Sequence, residues 1–591
     1  MRLKVSRSKN AASLYVTKTI YEGKKQRTIT VEKLGTEKEL REKLNGEDPY
    51  EWSRQYIAKL NQEEKEKNRE IILKFKQSRL IPLNVQRSFN GGYLFLQQIY
   101  SSLGLDKICK SISDKYRFTY DLNSILSRLL YGRILFPSSK LNTFEESKKL
   151  LEPPLFELQH VYRALDVICR EDTYIQSELY KNSRLLSKRN DRVLFYDCTN
   201  FFFEIEQEEN MKQYGPSKEH RPNPIVEMGL FMDGDGIPLA FSIHPGNKSE
   251  QQTLIPLEEQ IMKDFKHAKF IVCTDAGLSS ADNRKFNNKE GRAFITTQSI
   301  KKLKKHLKEW CLESTGWKLE GFETDKNGKP MTFDIRQPET DTDLAQKFKN
   351  STFYKERWIR DDGLEQKLIV TFSLKYKCYQ QGIRNRQVKR AEKMLEGNLS
   401  SLKKHNQNDC KRFIKKTGVT PDGEIADKEV YELDQSIIDE EARYDGFYAV
   451  CTNLADEPPK IAKINHSRWE IEECFRIMKT DFKSRPAYVR TDNRIQAHFM
   501  TCFLSLILFR YLEKALDHKY TCEEILDTLR EMDFLIAAGE GYIPAYTRTN
   551  LTDSLHEAFG FRTDYDIVSQ KQMKKIFRDT KKEKKYVKKS E

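Results

Sequence analysis

Hydrophobic and polar positions change period several times along the chain, and the changes divide it. Residues 14–34 alternate apolar and polar around Glu22-Gly23, which predicts a β-hairpin. From Pro49 to about Gln77 the spacing of Tyr56, Ile57, Leu60, Ile71, Ile72 and Phe75 is helical, interrupted by the charged run NQEEKEKNRE. Residues 92–188 read as successive helices punctuated by Gly91, Pro137, Pro153-Pro154 and Glu171-Asp172. At Asp191 the pattern becomes β-rich. RVLFYDCTNFFFEI is one strand, and IVEMGLFMDGDGIPLAFSIHPGN is two strands around the turn Asp233–Gly236. A helix follows (EQQTLIPLEEQIMKDF), then the strand KFIVCTDAG ending at Asp275, then the strand GRAFITT.

From about Ser299 to Tyr444 charge dominates, with strands expected near Phe353–Trp358 and Gln366–Leu374 and a basic helix in QGIRNRQVKRAEKMLEGNLSSLKKH. Phe447–Asn453 then resumes the sheet. The resulting expectation is a multidomain α/β protein whose mixed sheet, flanked by helices, is interrupted by an inserted domain and preceded by a mostly helical N-terminal region. The divisions fall at 1–80 (basic hairpin and helical arm), 81–190 (helical, a DNA-end reader or scaffold), 191–298 (core, first part), 299–444 (charged insertion), 445–515 (core, second part) and 516–591 (helical region and basic tail).

The stretch Ile464–Phe482 is predicted as one helix with Ser467 as its N-cap. Ile471, Cys474, Phe475, Met478 and Phe482 form its apolar stripe. At 100° per residue, Arg468, Glu472 and Lys479 project together about 80° from the centre of that stripe. A carboxylate framed by two cations at the shoulder of a buried face suits work on metal ions and phosphates. An Arg–Glu pair four residues apart is also an ordinary surface pair. Glu470 and Glu473 are rival carboxylates, but neither is framed by both cations.

Composition narrows the partners. Of the net charge of +15, residues 1–80 hold 20 Lys and Arg against 12 Asp and Glu, and residues 571–591 hold 10 against 3, so the surplus sits at the two ends. Basic ends on a balanced body favour a polyanion, nucleic acid above all. The 11 cysteines include no C-x2-C pair, which favours reduced thiols over disulfides or a zinc site. The apolar run Phe499–Phe509 is shorter than the ~20 residues of a membrane span and is expected as a buried helix. The N-terminus MRLKVSRSKN lacks a signal-peptide core, so a cytoplasmic location is expected.

Asp197 and Asp275 each stand at or near the C-terminal end of an apolar strand, where ligand sites gather in such sheets. With Glu472 they make a set of three carboxylates of the kind that hard divalent cations take. The spacing Arg468-x3-Glu472-x6-Lys479, with YDCTNFFFE around Asp197, SKEHRPN (Ser217–Asn223), GIPLAFSIHPGN, TDAG around Asp275 and FKSRPAYVRTDNRIQAH, resembles the DDE transposases of bacterial insertion sequences, in the branch with a Tyr-x2-Arg-x3-Glu-x6-Lys motif. Asn465 stands where that motif has Tyr. The resemblance covers about residues 191–509 and implies an RNase H-like core. It implies Mg²⁺ or Mn²⁺, two ions, on Asp197, Asp275 and Glu472, with Arg468 and Lys479 on DNA phosphates and Lys218 and Arg221 as further phosphate contacts. It implies cleavage at element ends, transfer of a 3′-hydroxyl to target DNA, and a homodimer holding two DNA ends. A metal-dependent nuclease that does not join strands, and a non-catalytic DNA-binding relative, stand as alternatives.

Overall fold

The computed structural model describes residues 1–584 except 9–10, 23–24, 45–46, 68, 74–75, 290, 323, 325–330, 341, 398–407 and 420–424. Its contacts divide the chain into two compact units, residues 1–85 with 537–540 and the remainder.

In the first unit, β1 (Arg2–Arg7), β2 (Ala12–Glu22) and β3 (Lys25–Thr36) form an antiparallel sheet in that order. β2 and β3 are the two strands read from the alternation, and Gly23 of their turn lies outside the described residues. Thr36 and Glu39 cap α1 (Glu37–Lys43) reciprocally. The helix α2 (Pro49–Lys67) starts where expected but ends at Lys67 rather than Gln77. The helix takes in the first seven residues of the charged run, NQEEKEK, and Phe75 lies outside the described residues.

In the second unit, β4 (Ser88–Asn90) precedes six helices: α3 (Tyr93–Ser102), α4 (Leu105–Tyr116), α5 (Leu122–Leu135), α6 (Lys140–Ser147), α7 (Leu158–Arg170) and α8 (Asp172–Leu186). The sequence reading passed over α4, although Leu105, Ile108, Cys109 and Ile112 carry helical spacing and are buried. Then come β5 (Val193–Phe202), β6 (Ile225–Asp233), β7 (Pro238–Pro245), α9 (Leu254–Asp264), β8 (Ile271–Thr274), α10 (Ala281–Phe286) and β9 (Ala293–Thr297). This is the expected order of strand, hairpin, helix, strand, helix, strand.

The charged segment contributes α11 (Lys305–Leu312), β10 (Lys318–Leu319), α12 (Gln337–Thr340), α13 (Thr342–Lys347), β11 (Phe353–Asp361), β12 (Leu364–Phe372), α14 (Leu374–Glu396), β13 (Ile414–Val419), β14 (Ile425–Leu433) and α15 (Gln435–Ala442). After it run β15 (Phe447–Thr452), α16 (Pro458–His466), α17 (Trp469–Arg476), α18 (Asp492–Ala515), α19 (Cys522–Glu531), β16 (Asp533–Ala537), β17 (Gly541–Pro544), α20 (Asn550–Phe559), β18 (Val568–Ser569) and α21 (Gln570–Asp579).

The main sheet has the order β10-β11-β12-β15-β9-β8-β5-β6-β7. β5, β6 and β7 run antiparallel, while β5-β8 and β8-β9 are parallel. Those five strands are the RNase H-like mixed core. The charged segment stays joined to it, because β12 pairs along β15 and carries β11 and β10 outward.

β5 is central to these five strands and almost wholly buried, covered on both faces. Val193, Phe195 and Phe201 enter one core together with α17 and α18; Leu194, Tyr196 and Cys198 enter another with Leu254, Leu257 and Ile261 of α9. The first core also takes the apolar sides of α3–α8, so α18 is surrounded. Its length and apolarity would suffice to cross a membrane, but 94% of the qualifying window is buried inside the protein.

Candidate active site

Strand parity places the two aspartates. Phe195 and Phe201 face α17 and α18, so Asp197, between them with the same parity, faces that layer too. On β8, Ile271 and Cys273 face the same core. The parallel register pairs Val193 with Ile271 and Phe195 with Cys273; carried two residues further, it sets Asp197 beside Asp275. Neighbouring strands lie about 4.8 Å apart.

The electrostatics agree with this placement. Burial pushes the Asp197 carboxyl up to about 6; Asp275 pushes the same way, and Lys218 and Arg468 oppose it. Asp197 Oδ1 accepts the Cys198 N–H at 2.8 Å, and Asp275 Oδ1 accepts the Leu278 N–H at 3.0 Å. The second oxygen of each carboxylate has no protein donor among the described residues. Two adjacent carboxylates with outward oxygens suit a hard divalent cation.

The expected single helix over Ile464–Phe482 is three pieces. Ser467 does not cap its start. It closes α16 with helical dihedrals, and Arg468 stands at the N-cap position of α17, itself helical and without a side-chain cap. After Arg476 the backbone widens into a π-turn, Ile477–Asp481. The apolar stripe holds: Ile471, Cys474, Phe475, Met478 and Phe482 are all buried.

Arg468 and Glu472 project together, with Nη1 3.4 Å from Oε1. Arg468 also acts on Asp197, whose pKa its charge lowers. Its Nε is buried and lacks an acceptor, so the guanidinium retains donor capacity for an oxyanion. Glu472 is 59% exposed. Among the described residues no three His, Cys, Asp or Glu side chains lie close enough to form one metal-ligand set. The structure thus brings Asp197 to Asp275 and leaves Glu472 on Arg468.

The rival carboxylates are committed elsewhere. Glu470 Oε2 lies 3.3 Å from Arg510, at the β6–β7 turn. Gly236 is required there: its φ is +75°, and a Cβ would fall 2.2 Å from Glu470 Oε2. Glu473 takes the Arg476 guanidinium on both oxygens, at 2.7 and 2.8 Å.

The three other cations divide. Lys479, in the π-turn, does not join Glu472; it lies 3.4 Å from Glu219, and burial lowers its pKa. An extra residue in the turn rotates everything after it, which a uniform 100° step cannot anticipate. Lys218 donates to the Cys198 carbonyl and pairs with Glu250 at 3.0 Å. Burial opposes its charge, but Asp197 and Glu250 outweigh this and raise its pKa. Lys218 therefore braces β5 beside Asp197. Arg221 is exposed, over the Phe202 ring at 5.3 Å from its centroid.

Three residues of the site escaped the sequence reading. Tyr448 on β15 accepts the Asn465 side-chain amide at 2.8 Å, and its hydroxyl also meets Thr297 at 2.7 Å. Asn465 is buried and so ties α16 to the sheet. Glu219 and Arg485 lie in the quoted stretches SKEHRPN and FKSRPAYVRTDN, but only the fold brings them together, at 3.6 Å. The 11 cysteines are all free thiols, as expected.

Comparison with known proteins follows this geometry. No curated protein matches the chain. A solved structure, the cryo-EM piggyBac transposase synaptic complex with hairpin DNA, aligns over 83% of this chain and 88% of its own, at 8% identity and a TM-score of 0.34. That likeness is too slight to argue from. The transposase DDE domain profile matches residues 193–508, from the first residue of β5 into α18. The match takes in both aspartates and the Arg468–Lys479 stretch and spans more than half of the 591 residues, so the chain belongs to the DDE transposase family.

Proposed function

We propose that the protein is an insertion-sequence transposase that cuts DNA at the ends of its element and joins the freed 3′-hydroxyl to target DNA. The observation that carries this reading is the Asp197–Asp275 pair, each with an oxygen free of protein donors, facing the helix that bears Arg468 and Glu472. On this reading Asp197, Asp275 and Glu472 would hold Mg²⁺ or Mn²⁺, two ions, which would supply charge neutralisation at a phosphodiester and activation of the attacking oxygen.

The chain's own residues do the rest. Arg468 turns the partly exposed end of its guanidinium to a phosphate oxygen near the scissile bond. Lys218 fixes the Cys198 carbonyl and with it the position of Asp197. Lys479 and Arg221 hold phosphates further along the DNA end. Two ends must meet in one complex, so the working form is a homodimer on DNA, in the bacterial cytoplasm at the nucleoid.

The test uses the full chain with a supercoiled plasmid carrying the gene and its flanking DNA. The expected result is strand breaks at the outer edges of flanking inverted repeats, and joined products, with Mg²⁺ but not with EDTA. Breaks without joined products would replace this reading with a plain nuclease. Binding without breaks would replace it with a non-catalytic DNA binder.

A further inference from the structure

The end of β5 carries Phe201 and Phe202, a few residues beyond Asp197, and three cations gather on their rings. Arg485 stacks over Phe202 with 3.7 Å to the centroid, Arg221 lies over the same ring at 5.3 Å, and Lys479 stands 5.4 Å from the centroid of Phe201. One carboxylate serves this group. Glu219 lies 3.4 Å from Lys479 through Oε1 and 3.6 Å from Arg485 through Oε2.

These contacts are loose. Charge-assisted N–H···O pairs close to about 2.7–2.9 Å when the partners fit, and neither contact does. All three side chains remain partly open to solvent. The cations are fixed from below by the aromatic floor, whereas Glu219 sits on the loop between β5 and β6 next to His220, whose φ is +54°. The arrangement is a cationic seat on an aromatic floor, loosely held by one anion.

We propose that Lys479 and Arg485 form a subsite for one backbone phosphate of the DNA end, and that Glu219 occupies it in the DNA-free protein and leaves when the phosphate enters. The inference rests on the DNA-transposition reading above and adds to it a further phosphate-binding residue, Arg485, beside Lys479, and an internal competitor. A phosphodiester carries one negative charge, as Glu219 does, so the exchange preserves the charge balance of the seat. Its tetrahedral oxygens reach two cations at once, and the guanidinium fork suits them. Displaced Glu219 then lies near a phosphate of like charge. That repulsion lowers the affinity for DNA and favours ends whose other contacts outweigh it.

The experiment measures binding by the full chain of two duplexes, one of random sequence and one from the flanking DNA, by fluorescence anisotropy across a salt series. Glu219→Gln keeps the shape and removes the competing charge, so binding should tighten about fivefold, the upper range for a partly exposed pair. Arg485→Ala should weaken binding and lower the slope of log K against log salt by about 0.9, the value of one phosphate contact. Arg485→Lys, which keeps the charge without the fork, covers the case in which the alanine variant fails to fold. In the Arg485→Ala background the gain from Glu219→Gln should shrink towards nothing, a coupling that a merely structural glutamate would not produce. Binding by Glu219→Gln that is equal to or weaker than wild type, at an unchanged unfolding temperature, would overturn the inference and leave the transposition reading standing. If the wild-type chain binds neither duplex in a salt-dependent way, both fall together.

Discussion

Asp197 and Asp233 sit on neighbouring antiparallel strands, both in apolar surroundings, and their electrostatic situations are opposite. Asp233 is fully buried and fully partnered. Arg189 donates to its Oδ2 at 2.6 Å, and its Oδ1 accepts the N–H groups of Asp235 and Ile237 at 3.0 and 2.9 Å. Arg189 is completed in turn by Ser183 and the carbonyls of Ile237 and Pro238. Asp197 has one backbone N–H, no ion-paired cation among the described residues and a second carboxylate beside it; Lys218 and Arg468 only partly offset the burial that drives its pKa to about 6. The lesson is that burial alone does not mark a site. A buried charge whose partners are supplied is scaffold, and one left short of counter-charge is where an external cation gains most.

The largest test of this contrast removes the partnered charge. Asp233→Asn leaves Arg189 buried without its counter-charge, and urea unfolding should register a loss of about 3–5 kcal/mol. Nicking should fall only with the folded fraction. A loss below about 1 kcal/mol would mean that the Asp233 pair is not scaffold in the sense drawn here.

Asp197→Asn should do the reverse. Even partners one shell removed from a metal are worth about 10–100-fold, so loss of the carboxylate itself should lower Mg²⁺-dependent nicking by more than about 100-fold. Unfolding should be unchanged or shifted upward, because a desolvated carboxylate has gone. Glu472→Gln should likewise abolish nicking while folding and DNA binding persist. Near-normal nicking by a folded Glu472→Gln chain would move the third carboxylate to Glu470 or Glu473, against their present commitments to Arg510 and Arg476.

A buried cation sharpens the comparison. Lys140 is enclosed, with His498 Nδ1 at 3.1 Å as its hydrogen-bond partner and Arg133 adding repulsion; burial chiefly lowers its pKa from 10.5 to about 7. Between those values the unfolded chain binds a proton that the folded chain does not. Stability should therefore rise with pH from about 7 to 10.5 and be flat in this respect below 7. Lys140→Met should flatten that rise and stabilise the protein at pH 7 by about 2 kcal/mol. Chemical denaturation at several pH values reads both, and an unchanged pH slope in the variant would remove Lys140 as its cause.

The smallest effect concerns the basic tail, of which residues 585–591 lie outside the described structure. Deleting residues 585–591, which spares α21 and its buried Met573 and Ile576, should flatten the slope of log K against log salt for non-specific DNA without altering nicking by the folded core. An unaltered slope would mean that the tail does not touch DNA.

Much of this was legible in the sequence because it depends on near neighbours. The apolar, β-rich runs RVLFYDCTNFFFEI and KFIVCTDAG located two strands and put Asp275 just past the end of one, although Asp197 stands mid-strand in β5 rather than at its end, and i, i+3, i+4 spacing found the buried stripe Ile471–Phe482. The Asp233–Gly236 turn followed from its residue types alone.

What the tertiary structure decided is every feature set by a partner distant in the chain or by a local change of pitch. The register between β5 and β8, which puts Asp197 beside Asp275, arises from packing between segments that no short window spans. The π-turn at Ile477–Asp481 turned Lys479 from Glu472 to Glu219, and periodicity assumes the constant pitch that such a turn breaks. Arg189 found Asp233, Tyr448 found Asn465, and Arg485 found Glu219 by folding, because a charge or an amide records its need for a partner and not the partner's address.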